Sequence, residues 1–192
     1  SDGSGGDVLI IPAGGSAMPI TPEALAQGLH YLRMDGRQVY RFATNAMADA
    51  TQKAAEKAGW QMAEIDRVIP HQANERIIAA AAKKMGLPMD RFEVNLQEYG
   101  NTSAASVPIA LCEAVKTGRV RPGDRLVLVG FGAGLTWASA AVRWRLPGDE
   151  VPAPRYRGAW RWGLYRWARL RSTARRAMRW LTVVFIRRAE RR

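Results

Sequence analysis

Three short segments carry residues able to do chemistry: Val68-Ile69-Pro70-His71-Gln72-Ala73-Asn74, Gly100-Asn101-Thr102-Ser103-Ala104-Ala105-Ser106, and Gly130-Phe131-Gly132-Ala133-Gly134-Leu135-Thr136-Trp137. A lone histidine is more often structural than catalytic. His71, however, directly follows a strand-like run in a strand-to-helix turn, a place where α/β folds often carry their catalytic groups. Asn101 stands before a helix and reads equally well as a turn residue. The glycine-rich run lacks the spacing of a dinucleotide fingerprint and reads by itself as a hairpin turn. Cys112 completes a tempting Cys–His–Asn set, but its place in the chain argues against that role. It lies about ten residues into the helix that follows Asn101, which at about 1.5 Å per residue puts it well over 10 Å along the axis. With Ile109, Leu111 and Val115 around it, Cys112 is expected to be a small core residue.

These segments need elements to hold them. Residues 8–11 form an apolar run that predicts a buried strand, ended by Pro12 and Gly14-Gly15. Thr21-Pro22-Glu23 is a helix start, and the helix is expected to run to Met34 with His30 partly exposed on it and without a role. A longer helix follows over residues 39–58, where Tyr40, Ala43, Met47, Ala50 and Ala54 share one face before Gly59. Strands are expected at 67–70, 92–94, 125–129 and 135–144, with helices over 74–85 and from the Asn101 loop to Lys116. Asn74 is placed to cap the first of these helices. This order of strands and helices is that of a layered α/β domain.

Composition bounds the rest. The 192 residues are 47% apolar, enough for a sizeable core. The net charge of +12 suggests nucleic acid until it is located. Residues 1–146 hold 16 basic against 14 acidic side chains, whereas 147–192 hold 13 arginines against three acids. The globular part is therefore nearly neutral, and the basicity belongs to a tail introduced by Pro147, Gly148, Pro152 and Pro154. A single cysteine excludes an intrachain disulfide and fits a reducing cytoplasm. No signal peptide is expected from the opening, and no run approaches the roughly 20 apolar residues of a membrane-spanning helix.

Taken together, the Pro-His-Gln-Ala-Asn and Gly-Asn-Thr-Ser-Ala-Ala-Ser elements, with the opening Ser-Asp-Gly-Ser-Gly and the stretch from Met34 to Tyr40, resemble the C-terminal half of the β-ketoacyl-acyl-carrier-protein synthase III family. The resemblance covers residues 1–146. It implies the C-terminal half of a thiolase-like layered α/β fold, a mixed sheet with covering helices. It also implies a reaction without metal or bound cofactor. A cysteine takes an acyl group from acyl-CoA, malonyl-acyl carrier protein loses CO2, and the resulting carbanion attacks the thioester. His71 matches the family's catalytic histidine and Asn101 its catalytic asparagine. Two fixed neutral donors aimed at the malonyl thioester oxygen stabilise the charge that decarboxylation places there. Ala133 falls in the loop whose backbone N–H helps bind the oxyanion of acyl transfer. Arg76, Lys83 and Lys84 match a basic surface that meets the acidic acyl carrier protein, where opposite charge speeds encounter. Asn74 matches a polar residue near the active site.

In this family the nucleophile sits at a helix N-terminus in the other half, where the helix dipole lowers a thiol pKa. The sequence is thus expected to supply the decarboxylation pair and to need an N-terminal half, homodimeric when complete. Whether it is a fragment, a split enzyme or a degenerate copy is open at this point. So is a non-catalytic alternative, a half-fold that binds acyl carrier protein or a membrane surface. In the tail, Trp160, Leu164, Trp167, Leu170, Ala174 and Met178 recur at helical spacing among arginines. Residues 155–192 therefore predict a basic amphipathic helix suited to an anionic membrane surface, with nucleic acid as the second option and an extension foreign to the family, without a role of its own, as the third.

Overall fold

The computed structural model describes residues 1–145 together with 166, 167 and 171. The chain divides into two compact units, Ser1–Pro147 and Gly148–Arg192. In the second, the described residues are helical, and the Arg171 guanidinium lies 6.0 Å from the centre of the Trp167 ring. The rest of the expected amphipathic helix over 155–192 lies outside the described residues. Among the described residues, no helix is long and apolar enough to cross a membrane.

The first unit opens with a short arm. Strand β1 (Leu9–Ile10) precedes helix α1 (Pro22–Ala26), and strand β2 (Arg33–Met34) returns antiparallel to β1, with Leu9 opposite Met34. The Thr21 hydroxyl caps α1 by accepting from the Ala24 N–H at 3.1 Å, as the sequence predicts. The expected helix to Met34 does not form. Gly28 takes φ +66°, a left-handed turn that ends the helix early and frees residues 33 and 34 to pair as a strand. His30 consequently sits in a turn, stacked at 4.0 Å on Tyr31. The expected buried strand over 8–11 shrinks to two half-buried residues, and Ile11 is 55% exposed.

Helix α2 (Gly36–Lys57) is capped by Asp35, whose Oδ1 accepts from the Arg37 and Gln38 N–H groups at 3.0 Å. Its buried stripe is Val39, Ala43, Met47, Ala50 and Ala54, the expected 3–4 spacing, while Tyr40 turns out toward solvent. Strand β3 (Arg67–Pro70) follows, then α3 (Glu75–Met85), closed by Gly86 at φ +66°. The stretch 92–94, expected as a strand, makes one parallel bridge from Phe92 to Val68 and no more. Helix α4 (Leu96–Tyr99) leads to α5 (Ser106–Lys116), and strands β4 (Arg125–Gly132) and β5 (Thr136–Arg143) close the unit.

The sheet is mixed, in the order β3-β4-β5, with β3 parallel and β5 antiparallel to β4. Its two faces follow from strand alternation. Val68, Val127 and Val129 pack with α2 and α3 through Met47, Ile77 and Ile78. Ile69 and Leu126 face the other way, against Ala110 and Ala114 of α5. Helices cover both faces, so the C-terminal ends of the parallel pair β3 and β4 open together at one edge of the layers.

Candidate active site

Strand β3 ends at Pro70, and the His71 N–H donates to the Val129 carbonyl at 2.8 Å. This bond fixes the imidazole beside the end of β4, where Gly130-Phe131-Gly132 begins the glycine-rich loop. The Phe131 ring meets the imidazole edge to face, with centroids 5.2 Å apart. Burial pushes the His71 pKa below the ordinary histidine value, because a partly desolvated site disfavours the charged imidazolium. Burial thus favours the neutral ring over the imidazolium. Its Nδ1 lies 2.6 Å from the Ser106 hydroxyl at the start of α5.

The Asn101 loop is shaped by backbone conformation. Gly100 takes φ +65° and ψ −160°, a region closed to residues with a Cβ. Ser103, a non-glycine residue at φ +53°, brings its N–H to the Asn101 Oδ1 at 2.9 Å. With the oxygen of the amide so engaged, the Asn101 NH2 is the end left to meet a ligand.

A buried polar chain ties the two loops together. Gln72, 1% exposed, donates through Nε2 to the carbonyls of Pro70 and Glu93, both at 2.9 Å. Its Oε1 accepts from the Asn95 N–H at 3.1 Å. The Asn95 amide and the Tyr99 hydroxyl then donate to the Glu113 carboxylate at 2.7 and 2.6 Å. Those two bonds, Tyr99 first, hold the Glu113 carboxyl below its usual range. The neighbour of His71 is thus bonded through to α4, the element that leads into Gly100 and Asn101.

The third segment is braced from a distance. The Asp2 and Leu135 backbones exchange two hydrogen bonds of 2.8 Å, so the opening of the sequence clasps the loop that carries Ala133. Gly134 takes φ +138°, and a Cβ there would lie 2.5 Å from the Thr136 Cγ2. Both conditions demand glycine.

His71, Asn101, Ala133, Asn74 and Arg76 all line one cavity of about 1290 Å3. Its other walls come from the arm, with Leu9, Leu32 and Met34, and from the start of α2, with Arg37, Tyr40 and Arg41. Asn74 also caps α3 through Oδ1, which accepts from the Arg76 N–H at 2.9 Å. Lys83 and Lys84 sit at the far end of α3, away from the cavity. Lys84 is engaged by Asp49 at 3.2 Å and Asn45 at 2.8 Å.

Cys112 is away from the cavity too, but not where the sequence placed it. It is exposed, because Ala110 and Ala114 turn the inner face of α5 to the sheet and position 112 points between them to the outside. Its apolar neighbours Ile109 and Leu111 are only half-buried. Sequence reasoning also missed Ser106 and Gln72. Both lie inside quoted motifs, yet only the fold shows what their side chains touch. Among the described residues, no group of three or more His, Cys, Asp or Glu side chains is placed to hold a metal.

Comparison with known proteins places the chain among relatives. Residues 55–144 match the 3-oxoacyl-[acyl-carrier-protein] synthase III C-terminal family. The β-ketoacyl-[acyl-carrier-protein] synthase III of Symbiobacterium thermophilum is 52% identical over 144 residues, covering 75% of this chain and 44% of that protein. That of Roseiflexus sp. is 51% identical with the same coverage. Among solved structures, the synthase III of Thermus thermophilus superposes with a TM-score of 0.65 at 46% identity, over 75% of this chain and 44% of that one. That of Pseudomonas aeruginosa gives 0.67 at 42% identity, over 76% and 42%. The chain thus spans less than half the length of the relatives it matches. In sequence and in fold, about three quarters of the chain is similar to these β-ketoacyl-[acyl-carrier-protein] synthases III, and residues 55–144 match the family's C-terminal region.

Proposed function

We propose that this chain works as the C-terminal half of a 3-oxoacyl-[acyl-carrier-protein] synthase III and supplies its decarboxylation pair. The observation that carries the reading is the convergence of a partly buried His71 and an amide-oriented Asn101 on one cavity. In the proposed step, the bond between the malonyl carboxylate and the α-carbon breaks and CO2 leaves. The electron pair moves into an enolate whose oxygen takes the negative charge. His71 and Asn101 each donate a hydrogen bond to that oxygen without adding a formal charge. The α-carbon then attacks an acyl thioester on a cysteine of the N-terminal half, and that cysteine departs as thiolate. The backbone N–H of Ala133 serves the oxyanion of acyl transfer.

On this reading the substrates are acyl-CoA and malonyl-acyl carrier protein, with no bound cofactor. The complete enzyme is a cytoplasmic homodimer, and Arg76 with Lys83 and Lys84 guides the acidic carrier protein. The basic tail of residues 155–192 would add contact with an anionic membrane surface, tested by partitioning of that peptide onto anionic and neutral vesicles.

The test of the pair uses the chain complemented with the N-terminal half of a synthase III. His71→Ala and Asn101→Ala should each slow decarboxylation of malonyl-acyl carrier protein by roughly 10²–10³, the usual loss for an oxyanion donor. Acylation of the cysteine by acyl-CoA should survive better. Failure of acylation first in both variants would remove these residues from the malonyl step.

A further inference from the structure

Ser106 is 1% exposed, and its hydroxyl stands between two groups. It lies 2.6 Å from the Nδ1 of His71 and 2.9 Å from the Ser103 carbonyl oxygen, to which it can donate. A serine hydroxyl has one proton, so it cannot donate to both. The choice decides which nitrogen of the neutral imidazole carries its own proton. If Ser106 donates to Ser103, Nδ1–H must donate to Ser106, and Nε2 meets the cavity as a bare lone pair. If Ser106 donates to Nδ1, the ring proton is on Nε2, and the ring meets the cavity as a donor.

We propose that Ser106 is a positioning residue for His71: its hydroxyl donates to Nδ1 and so holds the ring in the Nε2–H form that can bind an oxyanion. The surroundings of the two partners favour this arrangement. The Nδ1 contact is short whichever partner donates, so the choice rests on what the other groups need. Ser103 is exposed, so water can serve its carbonyl when the hydroxyl turns away, whereas the imidazole is partly buried. Ser106 is also the first residue of α5, whose N-cap position, Ala105, makes no side-chain capping bond. Ser106 thus anchors the ring at the positive end of an 11-residue helix, which favours the neutral ring over the imidazolium. No sequence rule assigns this serine a part, since at a helix start it reads as an ordinary small polar residue.

The inference rests on His71 acting as an oxyanion donor, and its test separates the two claims. The chain has only two histidines, so a His30→Gln background leaves His71 as the single imidazole in a 15N-labelled full-length chain. Long-range 1H–15N correlation at about pH 8, above the ordinary histidine pKa, reads the tautomer directly. The expected result is a protonated Nε2 and an unprotonated Nδ1 in the wild-type serine, with a tautomer mixture in Ser106→Ala and the Nε2–H form regained in Ser106→Thr. A wild-type ring protonated on Nδ1, or a wild-type mixture, overturns the proposal without need of any Ser106 variant. In the complemented enzyme, Ser106→Ala should lower kcat for decarboxylation by about 10–100-fold, the range seen when the partner that orients a functional imidazole is removed. KM for malonyl-acyl carrier protein should stay within about twofold, and Ser106→Thr should recover most of kcat. A large effect of His71→Ala with none of Ser106→Ala sinks the role of the serine alone. No effect of either variant sinks the donor role of His71 itself.

Discussion

The β1–β2 arm and the three-stranded sheet are both rich in apolar residues, yet they use them in opposite ways. In the sheet and its helices, Met47, Ile69, Ile78 and Leu126 are fully buried. In the arm, Ile11, Met18, Ile20, Tyr31, Leu32 and Met34 are all exposed, with Leu32 at 61%. The sheet satisfies its own side chains through alternation and two layers of helix. The arm has two strands of two residues and one helical turn, too little backbone to build a core of its own. Apolar side chains left outside in such number mark a surface that another layer covers. On the proposed reading, the sheet is the self-sufficient frame and the arm is the cavity wall finished by the N-terminal half.

The sharpest way to break this contrast is to truncate one residue on each side of it. Ile69→Ala removes a fully buried side chain that packs on α5 and should destabilise the chain by about 2–5 kcal/mol. Leu32→Ala should change its stability by no more than about 0.5 kcal/mol while weakening association with an added N-terminal half. Urea denaturation reads the first quantity and titration calorimetry the second. A Leu32 variant as destabilised as the Ile69 variant would make the arm part of the core after all.

A smaller effect is expected from the polar chain that joins the loops of His71 and Asn101. Gln72→Leu leaves the Pro70 and Glu93 carbonyls and the Asn95 N–H without their partner and should cost about 1–3 kcal/mol. The loss should fall on decarboxylation as well as on stability, because the loops of His71 and Asn101 are no longer bonded through Gln72. A variant that loses stability but keeps its decarboxylation rate would leave Gln72 as frame alone.

The pH dependence sharpens the same picture. His71 has its folded pKa depressed by burial, so the unfolded chain binds a proton at a higher pH than the folded one. Its contribution to stability is complete above the unfolded histidine value of about 6.5 and is lost as pH falls through the lower folded value. His71→Gln should flatten that part of the stability–pH curve, measured as urea midpoints across the window. The smallest effect belongs to Cys112. As an exposed thiol it should react readily with a maleimide, and Cys112→Ser should shift stability by no more than about 0.5 kcal/mol.

Much of this architecture was legible in the sequence. The caps at Thr21 and Asn74, the stripe along α2 from Ala43 to Ala54, strand β3 and the glycine stop at Gly86 follow local rules, and the structure agrees with each; Tyr40, expected on that stripe, is exposed. His71 and Asn101 were legible because both follow from short motifs, and the cavity brings the two together. What failed was decided by tertiary context. Residues 27–34 carry helical residues, but Gly28 in a left-handed turn and pairing with β1 redirect them. Cys112 sits among apolar neighbours, yet the side of α5 that meets the sheet is fixed by Ala110 and Ala114. The Ser106 contact joins residues 35 apart in the chain, a separation at which no periodicity operates.

The central claim is that this chain brings the decarboxylation pair and not the acyl-accepting thiol. The direct measurement is condensation of acyl-CoA with malonyl-acyl carrier protein by the purified 192-residue chain, alone and after addition of a synthase III N-terminal half. The account predicts no condensation by the chain alone. It also predicts activity on complementation that depends on the cysteine of the added half and is indifferent to Cys112→Ser. Condensation by the chain alone, lost in Cys112→Ser, would contradict it.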